Sequence, residues 1–275
     1  MTSISEDTFV LGLENDWALA LIRVTADGDA STFRTLCKLK LPGVWWNTRV
    51  QLKNFYRAPS GSDNLSAPKR HSTLPFRNSP SDSVLSFCVS ADRGWEHNPT
   101  NLFFYVHPSA LRALAERAVT AQVSGMKGLY HWLARCTFLS RKTPPITMLW
   151  KNWGPKMTRW IKIGDQSEAV RQSLSGTRCA ISKWASEEVQ LLDFNPGRVH
   201  RLEYLAEKKA TGWKDLRELL VNSPGLISAG KYFKHDIESH LPYFEIRRRG
   251  AKGQLLIDDQ WVVQTRVCLF RFTTG

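Results

Sequence analysis

The sequence predicts a mainly β protein, an incomplete β-propeller-like array of antiparallel sheets with one or two helical insertions. Three observations predict it. Short runs of β-branched and aromatic residues recur between turn residues along most of the 275-residue chain. Helical spacing with a clear start signal is found in a single stretch. An acidic residue, an apolar run and a second strand recur at EDTFVLGLENDWALALIRV, SDSVLSFCVS, EEVQLLDFNPGRVHRLEY and DDQWVVQTRVCLFRF, as the paired strands of successive blades would. The length suits one large domain, and residues 1–275 are read as a single propeller-like unit.

The first elements are TFVLGL (Thr8 to Leu13) and WALALIRV (Trp17 to Val24), a hairpin around Glu14-Asn15-Asp16. Trp17, Leu19 and Leu21 alternate with Ala18, Ala20 and Ile22, so neither face is polar and the strand is expected to be covered on both sides. FRTLCKLKL (Phe33 to Leu41) alternates as a half-exposed strand does. Residues 56–82 are rich in Pro, Ser, Asn and Asp without a period, which marks a flexible loop or insertion. Strands resume at SVLSFCVSAD and NLFFYVHP. The helix follows: PSALRALAERAVTAQV opens on Pro108-Ser109 and spaces Leu111, Leu114, Ala115 and Ala118 along one face. TRCAISKW (Thr177 to Trp184), EVQLLDFN (Glu188 to Asn195) and RVHRLEYL (Arg198 to Leu205) read as strands. Residues 206–231 read as a second insertion with a short helix at WKDLRELLV, and LPYFEIRRR, GQLLIDDQWVVQTR and VCLFRF supply the last strands.

Hydrophobic residues make up 42% of the chain and charged residues 23%, as in a soluble globular domain. The eleven tryptophans are spread from Trp17 to Trp261, which favours packing before binding. A net charge of +13 brings in acidic partners and nucleic acid, yet the densest cationic run is only Arg247-Arg248-Arg249 with Lys252. The five cysteines are far apart and lack a C-x-x-C pair, which points to free thiols in a reducing compartment. With no secretory signal and no apolar run of about 18 residues, the expectation is a cytoplasmic or nuclear protein away from the membrane.

No residue is assigned to catalysis. A G-x-S-x-G elbow is absent, and neither Ser175 nor Cys179 has a nearby His in the sequence. The closest histidine pair, His235 and His240, is spaced off one helical face and lacks a third ligand, so no metal is expected. A phosphate-binding loop is also missing, and no cofactor is expected.

The stretch WKNWGPKMTRW is the most distinctive. Trp150, Trp153, Arg159 and Trp160 form a candidate partner surface, where exposed rings and cations would also suit nucleic acid. The competing expectation is a packed loop turned at Gly154-Pro155 and flowing into a strand, with Arg159 buried against a Trp or a carboxylate such as Asp193. Asp193 and Asn195, beside Pro196-Gly197, are expected to bond the backbone of their own turn.

WKNWGPKMTRW resembles the W-x-x-W-G-P-x-x-T-R-W signature of a fungal (mushroom-type) F-box-like protein family with propeller-like C-terminal regions. GTRCAI, VQLLDFNPGRV and SHLPYFEIRRRGAKGQLLIDDQWVV are similar to further segments of that family in the same order. The resemblance covers most of residues 80–265 and makes Gly154, Pro155, Asp193, Asn195, Pro196, Asp258 and Asp259 signature positions. Asn152 and Lys156 depart from it, standing where the family often has acidic residues. It implies a non-enzymatic substrate-receptor-like module, linked in full-length relatives to a ubiquitin ligase through an F-box that these residues lack. The expected partner is an unidentified protein. A basic nucleic-acid-binding β module is the alternative, and the oligomeric state is open.

Overall fold

The computed structural model describes residues 1–27, 30–57, 83–93, 100–133, 145–165, 170–183, 188–208, 220–230, 232–249, 255–257, 261–264 and 268–271. Within these residues the protein is mainly β, with several antiparallel sheets and three helices.

The first sheet is a meander of β1 (Thr2–Ser3), β2 (Thr8–Leu13), β3 (Ala18–Asp27) and β4 (Ala30–Lys40), with β8 (Ile146–Met148) lying parallel to β4. The second joins β5 (Arg49–Arg57), β6 (Leu85–Asp92), β7 (Thr100–Val106) and β9 (Thr158–Asp165), all antiparallel. The third runs β10 (Val170–Ser175), β11 (Arg178–Lys183), β12 (Glu188–Asp193), β16 (Tyr243–Arg249) and β13 (Leu220–Val221). Two smaller sheets follow: β14 (Gly225–Ile227) with β15 (Ile237–Ser239), and β17 (Leu255–Ile257), β18 (Trp261–Gln264) and β19 (Cys268–Arg271).

Side-chain alternation stacks these sheets. Leu85, Phe87, Val89, Ala91, Leu102, Phe104 and Val106 of β6 and β7 point to one side, into a core shared with Val10, Leu19, Leu21 and Leu39 of the first sheet. Val84, Phe103 and Tyr105 point to the other side and meet Cys179, Ile181, Leu192, Phe194 and Tyr243 around the third sheet. The far face of that sheet carries Ala180, Val189, Leu191 and Ile246 and packs on Ile257 of β17. The second and third sheets are thus apolar on both faces, which explains their nearly continuous hydrophobic runs. No closed propeller is seen among the described residues, and the parallel β4–β8 pair departs from a purely antiparallel array.

The helix α1 (Pro108–Leu133) begins at the predicted proline and sends Leu111, Leu114, Ala115 and Ala118 into the first core. Three expectations are corrected. RVHRLEYL is not a strand but lies in α3 (Pro196–Glu207), because Val199 and Leu202 sit one helical turn apart and are buried together. WKNWGPKM is not a loop but α2 (Trp150–Met157), which leads directly into β9. The end of WKDLRELLV is not helical, since Leu220 and Val221 form β13 on β16. Strands β13 and β14 also fall within residues 206–231, so part of that presumed insertion belongs to sheets. Most of the predicted 56–82 loop lies outside the described residues, and residues 56–57 end β5.

Candidate functional site

Helix α2 is too short to be stable alone, and aromatic packing holds it. Trp150 and Trp153 lie a turn apart, with rings edge to face at 5.2 Å, and Trp150 meets Trp160 of β9 edge-on at 5.9 Å. Phe104 packs against Trp160 at 5.0 Å and against Trp153 at 6.3 Å. The buried indole of Trp153 donates to the Lys40 carbonyl at 2.9 Å, tying α2 to the end of β4. Gly154 lies under this cluster, where a Cβ would come within 2.1 Å of the Trp150 ring. Pro155 sits inside the helix, and its carbonyl accepts the His240 backbone N–H at 2.7 Å. Thr158 closes the helix by donating its hydroxyl to the Gly154 carbonyl at 2.7 Å.

Arg159, next in the chain, is 2% exposed. Its Nη1 donates to the carbonyls of Ser223 (3.0 Å) and Ser239 (2.9 Å), and its Nη2 to those of Ser223 (3.0 Å) and Val221 (3.3 Å). The guanidinium lies over the Tyr243 ring, 4.8 Å from the centroid. Burial holds its pKa below the ordinary arginine value, with Tyr243 and Glu245 opposing that fall. The partner is therefore neither a Trp nor Asp193, as the sequence suggested, but a ring of backbone carbonyls and a tyrosine. One side chain of β9 thus clamps β13, the approach to β14 and the end of β15. Gly225 makes the room, because a Cβ there would lie 2.9 Å from Nη1 of Arg159.

Asp193 ties a second knot. Its Oδ1 accepts from the Thr177 hydroxyl (3.1 Å) and the Asn195 N–H (3.0 Å), the local turn bond the sequence predicts. Its Oδ2 takes Nε of Arg178 (3.3 Å) and Nη1 of Arg198 (2.9 Å), so two cations flank one buried carboxylate. Asn195 caps α3: its Oδ1 accepts the Arg198 N–H at 3.1 Å, and Pro196 takes the first helical position. Phe194 stacks on Tyr105 at 4.8 Å. Asp258 and Asp259 lie outside the described residues.

The thiol of Cys179 contacts the Tyr105 hydroxyl (3.4 Å) and the Gln172 amide nitrogen (3.3 Å). Burial pushes it up to about 12, so at neutral pH it is a protonated thiol rather than a nucleophile. His240 lies 3.7 Å from Glu238, while His235 is exposed. Among the described residues no three His, Cys, Asp or Glu side chains gather as a metal site. No described helix is long and apolar enough to cross a membrane.

The proposed partner surface at Trp150, Trp153, Arg159 and Trp160 is thus largely interior: the last three are buried and Trp150 is half-buried among them. Two surfaces missed from the sequence stand out instead. On the first sheet, Phe9, Leu11 and Leu13 lie opposite Ile22, Ala20 and Ala18 and face away from the first core. Ala18 and Ala20 are buried at the floor of this face, while Phe9, Leu11, Leu13, Ile22 and Val24 are half-buried and belong to none of the three cores. Phe33, opposite Val24, is 67% exposed, and Lys38 and Lys40 form the β4 border of the face. The expected cover on this side is only partial. The second surface is the Trp45-Trp46 pair between β4 and β5. Nothing local marked it, because composition alone assigns tryptophan to the interior.

No protein-family model matches the chain, and neither a curated protein nor a solved structure is significantly similar to it.

Proposed function

We propose that this chain is a non-enzymatic protein-interaction module whose partner docks on the outer face of the first sheet. One observation carries the reading: the apolar row of Phe9, Leu11, Leu13, Ile22, Val24 and Phe33 lies outside all three cores. Apolar faces of this kind in a basic, otherwise well-packed protein mark sites for other proteins. Elsewhere in the molecule, faces of the same composition are covered by a neighbouring sheet. A partner that lays a sheet or helix here buries these side chains beside a border where Asp16 already holds Lys38 and Lys40. The stacking of successive antiparallel sheets supports a propeller-like arrangement. The resemblance of WKNWGPKMTRW and LLDFNPGRV to the fungal F-box-like family supports a substrate-receptor role, tied to a ubiquitin ligase in full-length relatives.

The test compares the wild type with the Leu11→Glu, Phe33→Ser double variant. Both are used for affinity purification from extracts of the organism that makes the protein, after circular dichroism has shown equal folding. A protein that co-purifies with the wild type and is lost with the variant supports the reading. An unchanged set of partners refutes it.

A further inference from the structure

The segment from Gly43 to Thr48 is zipped to residues 230 and 232–234. Lys234 donates its N–H to the Gly43 carbonyl (2.8 Å), Val44 bridges Phe233, and the Trp45 N–H donates to the Tyr232 carbonyl (3.1 Å). The Thr48 hydroxyl donates to the same Tyr232 carbonyl (3.3 Å), and the Trp45 indole to the Gly230 carbonyl (2.8 Å). Gly230 takes φ +156°, a backbone state side chains resist. The Thr48 N–H returns to the Trp45 carbonyl at 3.0 Å and closes a tight turn with Trp46 and Asn47 at its corners. Trp46 is 92% exposed there, and Trp45 beside it is 40% exposed. A rigid base thus holds the largest apolar side chain out into water.

Lys234 on one segment and Arg49 on the other are exposed cations, and His235 is exposed beside Lys234. Two carboxylates lie near them: Asp92, opposite Arg49 across β5 and β6, and Asp236, which accepts the Ala229 N–H. The whole chain carries +13, which repels a second copy and draws in polyanions. A flat ring offered at a convex corner, flanked by cations, needs only the face of a planar partner and phosphates on either side. Paired bases in a duplex keep their faces buried in the stack, whereas unpaired bases expose them.

We infer that the Trp45-Trp46 turn is a single-stranded nucleic-acid contact, with Trp46 stacking on a base and Arg49, Lys234 and His235 meeting the phosphates. This surface is separate from the outer sheet face, so it adds a second binding activity to the module.

Fluorescence anisotropy tests the inference with labelled thymidine DNA and uridine RNA oligomers of about 20 nucleotides, and with a duplex of the same length. The wild type is expected to bind both single strands more tightly than the duplex. With about two cations on phosphates, affinity should fall roughly sevenfold between about 50 and 200 mM salt. Trp46→Ala should weaken binding by about fivefold or more, and Trp46→Phe should restore most of the loss. Lys234→Glu gives an independent arm, weakening binding and flattening the salt dependence. Equal affinity of Trp46→Ala and wild type, equal affinity for duplex and single strand, or no binding at about 50 mM salt would each overturn the inference. Preference for only one of the two oligomers assigns the site to DNA or to RNA.

Discussion

Replacing Arg159 by Met keeps the length of the stem and removes the guanidinium, and the structure sets what this costs. Four hydrogen bonds from two nitrogens hold the carbonyls of Val221, Ser223 and Ser239. Ser223 is exposed, so water can replace the arginine there, but Ser239 is fully buried and Val221 half-buried. An orphaned buried carbonyl costs about 1–3 kcal/mol, and loss of the Tyr243 contact adds about 1 kcal/mol. Against this, the arginine is a desolvated cation with no carboxylate among the described residues bonded to it, and its removal returns part of the loss. The net expectation is a destabilisation of about 2–4 kcal/mol. Unfolding entropy of about 2.1 cal/mol/K per residue gives about 0.6 kcal/mol/K over 275 residues, so the melting temperature should fall by roughly 3–7 °C. Thermal melting followed by circular dichroism at neutral pH measures it. Arg159→Lys should lose nearly as much, because an ammonium cannot span three carbonyls in the same plane. A melting temperature within about 1 °C of wild type for Arg159→Met would refute the assignment of this residue as a clamp.

Three further perturbations follow the same logic. Gly154→Ala should destabilise by about 2–3 kcal/mol, since the added methyl collides with the Trp150 ring, and urea unfolding will show it as a lower midpoint. Asp193→Asn removes the buried carboxylate that Arg178 and Arg198 share and should cost about 3–5 kcal/mol by the same assay. Burial pushes the thiols of Cys37 and Cys179 from 9.0 up to about 12, so the folded state holds these protons more tightly than the unfolded chain. Their contribution is complete below pH 9 and is lost as pH rises towards about 12, so urea midpoints should decline across that window and decline less in Cys37→Ala and Cys179→Ala.

The β character was legible because hydrophobic pattern is a local property. TFVLGL is β2 at its predicted bounds, and the runs from Phe33 and around Phe103 are strands as well. Pro108 marked the start of α1 correctly. α3 was missed although its start signal was present. Asn195 followed by proline is a cap and first-turn pair, and Val199, Leu202 and Leu205 recur at helical spacing, but the β-branched Val199 and aromatic Tyr204 carry strand propensity. α2 was missed for a different reason: Gly-Pro reads as a turn, and here the glycine is dictated by a tryptophan ring and the proline lies within the helix. The burial of Arg159 was expected from its neighbours, whereas its partners lie 62–80 residues further along and leave no local trace. The exposure of Trp46 was equally hidden, because composition alone assigns tryptophan to the interior.

The tryptophans of WKNWGPKMTRW are packing residues, while among the residues whose burial is described the most exposed indole is Trp46. Hydroxyl-radical footprinting with peptide mass spectrometry tests it directly on the native protein, reading oxidation at each tryptophan against the urea-unfolded chain. Rapid oxidation of Trp46, near its unfolded rate, with strong protection of Trp153 and Trp160, is the predicted result. Oxidation of Trp153 or Trp160 as fast as Trp46 would contradict the account.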